Sequence, residues 1–379
     1  MTQNLDFEQL RKLLHTVFDL QETEKGLSIL VDLPNNTLPD TPAWKDRRRV
    51  ATEWFVRLEA NIVLLPFASV SLCVYENVGS HNNDLPAQIQ VIERATPMGT
   101  NVEHEVLSPA DLLGSSSVVV ALTELSATAP LKNLAKVCGF RGATLPGFTR
   151  EMIPALSLDY AKVNARVLEL KERMDRAERA TVHLSTGGQK YTSHYDLRYR
   201  SGIASGGLMR EPQIVGNLPS GEAYVAPYEG ERPNEPSSTS GILPVQFGDE
   251  VVLYRLESNM AIDVESTGKY SDAEKMKLKE EPAYGNIAEL GIGVLGEWGV
   301  KAIGSTLLDE KLGLHIAFGR SDHIGGVTGP ASFRNPKNVI HIDRIYVPSV
   351  QPLIDVDEVV FEYPGGTAET ILRAGTCVV

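Results

Sequence analysis

The chain of 379 residues is longer than one ordinary domain, and its 42% apolar residues are enough to build two hydrophobic cores. Its 36 basic and 49 acidic residues give a net charge of −13, which excludes nucleic acid and anionic membranes as partners, because both require a positive surface. The cysteines Cys73, Cys138 and Cys377 are widely spaced and form no CxxC pair, so they indicate a reducing compartment rather than a disulfide framework or a zinc knuckle.

The N-terminal segment MTQNLDFEQLRKLL contains acidic residues and has neither a long apolar stretch nor a small-residue cleavage site. No run of about 18 apolar residues, the length of a membrane-spanning helix, occurs anywhere in the sequence. We therefore expect a soluble cytoplasmic protein.

Helical and extended patterns alternate in the first half of the chain. Apolar residues at helical spacing predict helices, and apolar runs between them predict buried strands. The predicted helices are FEQLRKLLHTVFDL, WKDRRRVATEWFVRLEANI and LKNLAKVC, and the predicted strands are GLSILVDL, SVSLCVYENVG and SSSVVVALTELS. This alternation predicts an α/β domain with a mostly parallel sheet. No GxGxxG motif follows the first strand, so no dinucleotide site is predicted.

The pattern changes after residues 158–179, which form the clearest predicted helix. From residue 181 on, short strand-like segments alternate with clusters of Gly, Pro, Ser and Asn. We therefore predict an N-terminal α/β domain over residues 1–180 and a β-rich α+β catalytic domain over residues 181–379.

The second half also contains carboxylates and histidines in apolar or glycine-rich stretches, where an ionised group is costly unless a partner compensates it. Carboxylates combined with imidazoles are suitable ligands for zinc, cobalt or manganese. The six candidates are Glu222, Glu289, Glu310, His315, His341 and Asp343. The spacing alone leaves two interpretations open: a metal site, or separate hydrogen-bonded and solvated residues, since no HExxH motif is present.

Local spacing constrains part of this set. The segment IHIDRIYV alternates in polarity like a strand, and the two-residue period places His341 and Asp343 on one face, about 6.5 Å apart along the strand. Glu310 and His315 are five residues apart across Gly313, which predicts a turn between them.

The segments NLPSGEAYVAP, AELGIG, LLDEKLGLHIAFG and VIHID, in this order, resemble the metallo-aminopeptidase family typified by aminopeptidases T and S. The similarity covers most of residues 180–379. It implies a homodimeric, cytoplasmic exopeptidase that acts on peptides or similar small amides with two divalent metal ions, zinc or cobalt. By this resemblance the ligands are Glu222, Glu289, His315, His341 and Asp343, and Glu310 is a ligand neighbour or proton carrier.

The sequence departs from this family at one position. Seven residues after the histidine of its HxAxG segment the family has a tyrosine, and this chain has Asp322, followed by His323. An aspartate cannot act as a neutral phenol donor to a developing oxyanion. Asp322 and His323 are therefore catalytic candidates for a modified reaction, His323 as an additional ligand or acid/base group. A histidine in a glycine-rich surface turn is the alternative interpretation of His323.

The same part of the sequence also resembles the ring-cleaving dihydroxypyridine dioxygenases, including the TGP tripeptide found here at 328–330. The resemblance implies one ferrous ion held by two histidines and a carboxylate. In that relative a histidine occupies the position of Glu289 and an apolar residue that of Glu222. This chain has both glutamates, which favours a dinuclear hydrolase. A third interpretation is a binding or structural protein that keeps the ligands without turnover.

Overall fold

The computed structural model describes residues 4–92 and 105–379. The chain folds into two compact units, one of Met1–Lys162 with Gly207–Ser220 and the other of Val163–Gly206 with Gly221–Val379. This division differs from the expected boundary at residue 180, because it falls inside a helix and because residues 207–220 return to the first unit. The returning segment contains a strand of only three residues, too short to give a recognisable sequence pattern.

The described residues contain α-helices in both units. In chain order the helices are α1 Phe7–Phe18, α2 Pro42–Ala60, α3 Pro109–Gly114, α4 Thr128–Cys138, α5 Ile153–Leu156, α6 Tyr160–Arg176, α7 Lys269–Glu280 and α8 Thr306–Asp309.

The strands are numbered in the same way. They are β1 Glu24–Leu33, β2 Phe67–Glu76, β3 Ile89–Ile92, β4 Glu105–Leu107, β5 Ser116–Leu122, β6 Arg141–Thr144, β7 Arg179–Thr186, β8 Gln189–Asp196, β9 Ile203–Ser205, β10 Val215–Asn217, β11 Glu222–Val225, β12 Ser240–Phe247, β13 Glu250–Glu257, β14 Met260–Val264, β15 Ile287–Gly293, β16 Leu314–Gly319, β17 His341–Ile345, β18 Asp355–Glu362, β19 Ala368–Arg373 and β20 Thr376–Cys377.

The first unit is built on a seven-stranded sheet in the order β10-β6-β5-β1-β2-β3-β4. The first five strands in this order are parallel, and β3 and β4 join antiparallel at one edge. The central strand β1 is buried over nearly its whole length, as expected for a parallel strand that is covered on both faces.

Helix ends in the first unit are set by local side chains. The Asp6 carboxylate accepts a hydrogen bond from the Gln9 backbone N–H, and the Gln9 side chain accepts one from the Asp6 N–H, which is a capping box at the start of α1. Thr41 caps α2 and Pro42 occupies its first turn, where the missing N–H of a proline costs no hydrogen bond. Helix α2 packs against β1 and β2.

A buried carboxylate joins the carboxyl ends of the central strands of this sheet. Asp32, only 1% exposed, accepts hydrogen bonds from Trp44 Nε1 at 2.8 Å, Asn77 Nδ2 at 2.6 Å and the Glu124 N–H at 2.9 Å. Trp44 lies on α2, Asn77 directly follows β2, and Glu124 lies two residues after the end of β5. The Asp32 side chain on β1 therefore connects three other segments of the unit. All its described partners are donors, which satisfies a buried acceptor.

The second unit contains two antiparallel sheets. One has eight strands in the order β14-β13-β12-β8-β7-β18-β19-β20, and the other has five in the order β17-β16-β15-β11-β9. Large side chains that are at most 1% exposed, including Tyr195, Tyr254, Phe318 and Phe361, form the core. A mostly parallel α/β unit followed by a β-rich unit confirms the predicted fold class.

Among the described residues, no helix combines the length and the apolar character needed to cross a membrane.

A second buried carboxylate fastens the loop that follows β8. Asp196 is fully buried and accepts hydrogen bonds from Arg198 Nη2 at 2.7 Å, the Ser238 N–H at 2.9 Å and Ser238 Oγ at 3.0 Å. Burial raises the pKa of Asp196, but the Arg198 guanidinium and the Ser238 donors outweigh this effect and hold the pKa below its usual range. The ionised form therefore stabilises the fold.

We predict that Asp196→Asn lowers the free energy of unfolding at pH 7 by about 2 kcal/mol, because charge-assisted hydrogen bonds are lost. Because the folded pKa lies below the unfolded value of about 3.9, the contribution is complete above that pH and declines as the pH falls below it. Urea unfolding of both proteins at pH 7 and below about pH 3.9 should show the difference shrinking at the lower pH. Equal midpoints at pH 7, as expected for the exposed-site control Glu257→Gln, would contradict this role of Asp196.

Candidate metal centre

The five predicted ligands lie on four neighbouring strands of the five-stranded sheet. Glu222 begins β11, Glu289 lies in β15, His315 in β16, and His341 and Asp343 in β17. Sheet pairing therefore brings together residues that are far apart in the sequence.

Strand register places these side chains on one face of the sheet. Glu289 pairs with Ala317, which pairs in turn with Asp343, so the two carboxylates stand on either side of a small residue. His341 is two residues before Asp343 and points to the same side, as the strand period requires. The placement agrees with the predicted common face of His341 and Asp343.

The absence of a side chain at Gly291 makes room for His315. The two residues are register partners, and a Cβ atom at Gly291 would lie 1.9 Å from His315 Nε2. Even an alanine would therefore displace the imidazole. This close approach explains why the first glycine of the AELGIG segment, Gly291, has no side chain. In the sequence, this glycine is the feature that indicates close packing between β15 and β16.

Three of the predicted ligands form a buried group. His315 Nε2 lies 3.1 Å from Glu289 Oε1 and 3.4 Å from Glu222 Oε2. The side chains of His315, Glu222 and Glu289 are 0%, 7% and 9% exposed. Their ligand atoms all lie within 4.8 Å of one another, close enough to hold one metal ion.

A second group shares Glu289 with the first. His341 Nε2 lies 3.3 Å from Glu289 Oε2 and 3.7 Å from Asp343 Oδ1, and these three residues also have ligand atoms within 4.8 Å of one another. Glu289 thus directs one oxygen to His315 and the other to His341. The carboxylate lies between two adjacent clusters of donors.

A buried lysine, which the sequence analysis did not identify, completes the site. Lys311 is 1% exposed, and its Nζ lies 2.6 Å from Glu222 Oε1 and also contacts Glu310. Glu222 Oε2 is buried and has no hydrogen-bond partner among the described residues. A buried oxygen without a hydrogen-bond partner is costly, so this position suits a cation shared with His315, whose Nε2 lies 3.4 Å away. The available signal was a lysine that directly follows Asp309 and Glu310 between the leucines of the LLDEKLG segment.

The carboxylates and histidines of the two groups shift each other's pKa values. Burial raises the pKa of Glu289, but hydrogen bonds from His315 and His341 lower it well below its usual range. Burial alone would lower the pKa of both histidines, whereas the bonds to Glu289 and the nearby charge of Asp343 raise it, to about 9 for His315 and about 11 for His341. Positive charge is therefore strongly favoured at both imidazole positions.

Glu310 lies beside these groups without belonging to either. Burial raises the pKa of its carboxyl to about 8, helped by the charges of Glu222 and Asp343 and opposed by Lys311. Glu310 begins a 3-10 turn that ends at Leu312. A turn does separate Glu310 from His315, but it is formed by residues 310–312, and Gly313 after it has extended backbone with φ −180°. The Gly313 carbonyl accepts a hydrogen bond from the Gly293 N–H.

Asp322 and His323 lie in a short 3-10 turn after β16, outside both candidate ligand groups. Asp322 forms an ion pair with Arg320, and although burial raises its pKa, the Arg320 hydrogen bond outweighs this effect and lowers the pKa. The His323 ring meets the His341 ring edge-on, with centroids 5.0 Å apart. Burial and the charge of His341 lower the pKa of His323, which favours its neutral form.

Tyr224 is a further residue that the sequence analysis did not identify. It follows Glu222 by two residues on β11 and pairs with Gly291, so it lies on the ligand face of the sheet. Burial and the charges of Glu222 and Glu289 raise its pKa, so the phenol keeps its proton. The arrangement thus combines oxygen and nitrogen donors with a neutral phenol, and the residue groups can hold a divalent metal ion.

Two solved structures share the fold of the whole chain. A 2,5-dihydroxypyridine dioxygenase from Pseudomonas putida KT2440 is 14% identical, with a TM-score of 0.60, over 99% of this chain and 98% of that chain. AmpT, an aminopeptidase T from Thermus thermophilus, is 15% identical, with a TM-score of 0.54, over 98% of this chain and 99% of that chain. No protein-family model and none of the curated proteins matches the sequence. At these identities the likeness shows a common fold.

We predict that His341→Ala weakens metal binding by at least about tenfold, because losing a direct ligand should cost no less than losing a residue that supports one. Zinc content after dialysis against a fixed free zinc concentration, measured by elemental analysis, checks this. His183→Ala is the matched control, since His183 is also a strand histidine and hydrogen-bonds to Thr192 on the other sheet. Wild-type zinc content in His341→Ala would remove this residue from the ligand set.

Proposed function

We propose that this protein is a metal-dependent hydrolase, an aminopeptidase that removes N-terminal residues from peptides or cleaves a similar small amide. The observation that carries the proposal is the Glu289 carboxylate, which is shared between two adjacent groups of donors. A carboxylate that belongs to two donor groups, with Glu222 in one and Asp343 in the other, would suit two divalent ions. The common fold with an aminopeptidase T agrees with this choice.

The residues present fit two ions. Glu222, Glu289 and His315 would hold one, and Glu289, His341 and Asp343 the other. Zinc or cobalt suits this donor set, and manganese is a further option. Bound divalent ions lower the pKa of a coordinated water and polarise the carbonyl oxygen of a substrate.

The remaining side chains handle protons and hydrogen bonds. Glu310, beside Lys311 and near Glu222, is placed to accept a proton and pass it to the leaving amine. Tyr224 supplies a neutral phenol on the same sheet face and can donate a hydrogen bond to an oxygen that gains negative charge. Asp322 cannot take this role while it is ionised and paired with Arg320. His323, neutral and next to His341, is placed to act as an acid/base group.

A second copy of the chain as partner and a cytoplasmic location belong to the same proposal. The dimer comes from the family resemblance in the second half of the sequence, and the cytoplasmic location comes from that resemblance together with the cysteine pattern and the N-terminal segment.

The alternative is a ring-cleaving dioxygenase that uses one ferrous ion and acts on a dihydroxypyridine-like aromatic. Two observations favour it: the fold is shared with a 2,5-dihydroxypyridine dioxygenase, and His315, His341 and Asp343 provide two histidines and a carboxylate. Against it, Glu222 and Glu289 add two carboxylates to this set. Additional carboxylates could bind a second cation, whereas at a single ferrous ion they would occupy coordination positions that must stay open for oxygen.

We expect the protein loaded with zinc or cobalt to release p-nitroaniline from aminoacyl-p-nitroanilides. The same preparation loaded with ferrous iron should not consume oxygen in the presence of 2,5-dihydroxypyridine, as measured with an oxygen electrode. The reverse pattern, oxygen uptake without amide cleavage under any metal, would replace the hydrolase with the dioxygenase. Absence of both activities across the substrate panel would support the binding-protein interpretation.

For Glu310→Gln we expect wild-type metal content and a turnover number lowered by about 100-fold, because the amide cannot carry the proton. Steady-state kinetics combined with elemental analysis separates the two effects. Glu297→Gln is the matched control, since Glu297 also forms an ion pair in this unit, with Arg166. Unchanged turnover in Glu310→Gln would exclude Glu310 from catalysis.

A further inference from the structure

We propose that Glu229 is a positioning residue that orients His341 through the loop of residues 320–329, here called the clamped loop. The inference rests on the proposed function to the extent that His341 is taken as a metal ligand. Glu229 lies four residues after the end of β11 and has no part in either ligand group.

The Glu229 carboxylate accepts four hydrogen bonds from the clamped loop. Oε1 accepts from Ser321 Oγ at 2.6 Å and from the Val327 N–H at 3.0 Å. Oε2 accepts from the Thr328 N–H at 3.0 Å and from Thr328 Oγ1 at 2.6 Å. All four partners donate, so the site requires a group that only accepts, and an ionised carboxylate is that group.

The clamped loop closes tightly around this carboxylate. A Cβ atom at Gly326 would lie 2.2 Å from both Glu229 Oε1 and Ser321 Oγ, so only glycine fits. The N–H groups of Ser321 and Asp322 donate to the Thr328 carbonyl at 2.9 and 3.2 Å, which joins the two ends of the loop. The position of Ser321 is therefore determined by Glu229 and Thr328 together.

The residue before Ser321 orients the candidate ligand. His341 Nδ1 lies 2.7 Å from the Arg320 carbonyl oxygen, and because that oxygen can only accept, Nδ1 is the donor. Nε2 then faces Glu289 and Asp343 as the ligand atom. The second nitrogen of a metal-binding histidine commonly donates to such a carbonyl, which fixes the tautomer and the ring orientation.

The same loop also carries His323, whose ring contacts His341. Movement of the loop would thus change both the orientation of His341 and the position of its neighbour. The connection runs from the Glu229 carboxylate through Ser321 to the Arg320 carbonyl and then to His341. Each step is a short hydrogen bond or one peptide unit.

A comparable carboxylate in the same unit provides the control. Glu250 accepts hydrogen bonds from the Tyr270 N–H at 2.9 Å, the Ser271 N–H at 2.7 Å and Ser271 Oγ at 2.6 Å. It fastens the start of α7, which carries none of the candidate ligands. Glu250→Gln should therefore reproduce the loss of stability of Glu229→Gln but not its effect on metal binding.

The experiment measures zinc dissociation constants of the full-length protein by competition with a chromophoric chelator, together with thermal unfolding midpoints. In Glu229→Gln the amide NH2 faces N–H and O–H groups whose hydrogen bonds it cannot accept, so the clamped loop loses part of its attachment. We expect zinc binding to weaken by about 10- to 100-fold. Glu250→Gln should lower the unfolding midpoint while leaving the zinc dissociation constant at the wild-type value. Thr328→Val, which removes one of the four bonds, should give an intermediate weakening.

Equal zinc affinities in wild type, Glu229→Gln and Glu250→Gln would overturn the positioning role and leave the proposed function intact. If wild type itself binds no zinc or cobalt, the metal centre and this inference fail together. Should Glu229→Gln not fold, Thr328→Val decides the question, and wild-type zinc affinity in that variant overturns the inference.

Discussion

The second unit depends on placing several carboxylates in a buried site where negative charges repel one another and are poorly solvated. Three of these carboxylates, Glu222, Glu289 and Asp343, lie on one face of the sheet. Glu310 lies beside them in the turn before β16, and Lys311 supplies one positive charge between Glu222 and Glu310. Removing water from such groups costs several kcal/mol for each ion unless opposite charges compensate it. The raised pKa values of His315 and His341 express the same deficit of positive charge, as does Glu222 Oε2, which has no hydrogen-bond partner among the described residues. Divalent cations would remove it.

Strand register places the three sheet carboxylates and the two histidines close together on one face of the sheet. Small residues at Gly291 and Ala317 keep the centre of the face free of other side chains, so the long side chains of neighbouring strands can meet. The candidate ligands lie on hydrogen-bonded strands, which position side chains more accurately than loops do. Outside the strands, the turn of residues 310–312 contributes Glu310 and Lys311, and the clamped loop is held by Glu229 and by the close packing at Gly326.

The two fold neighbours are described as enzymes of different reaction classes, so the scaffold does not decide the chemistry. In this chain the choice depends on a few side chains. Under the proposed function, Glu222 and Glu289 supply the additional oxygen donors that two ions would need, and the ionised Asp322 provides no neutral hydrogen-bond donor in the turn after β16. Tyr224 on β11 has a neutral phenol that could instead donate the hydrogen bond to an oxygen that gains negative charge.

The sequence by itself determined the fold class, the common face of His341 and Asp343, and the list of charged residues in apolar surroundings, because periodicity and local hydrophobic context are short-range properties. Only the tertiary structure decided the extended conformation of Gly313, the return of residues 207–220 to the first unit and the roles of Lys311 and Glu229. Lys311 binds a partner 89 positions away and Glu229 one 92 positions away. Such pairings follow from strand order and register, which the pattern of one segment does not contain.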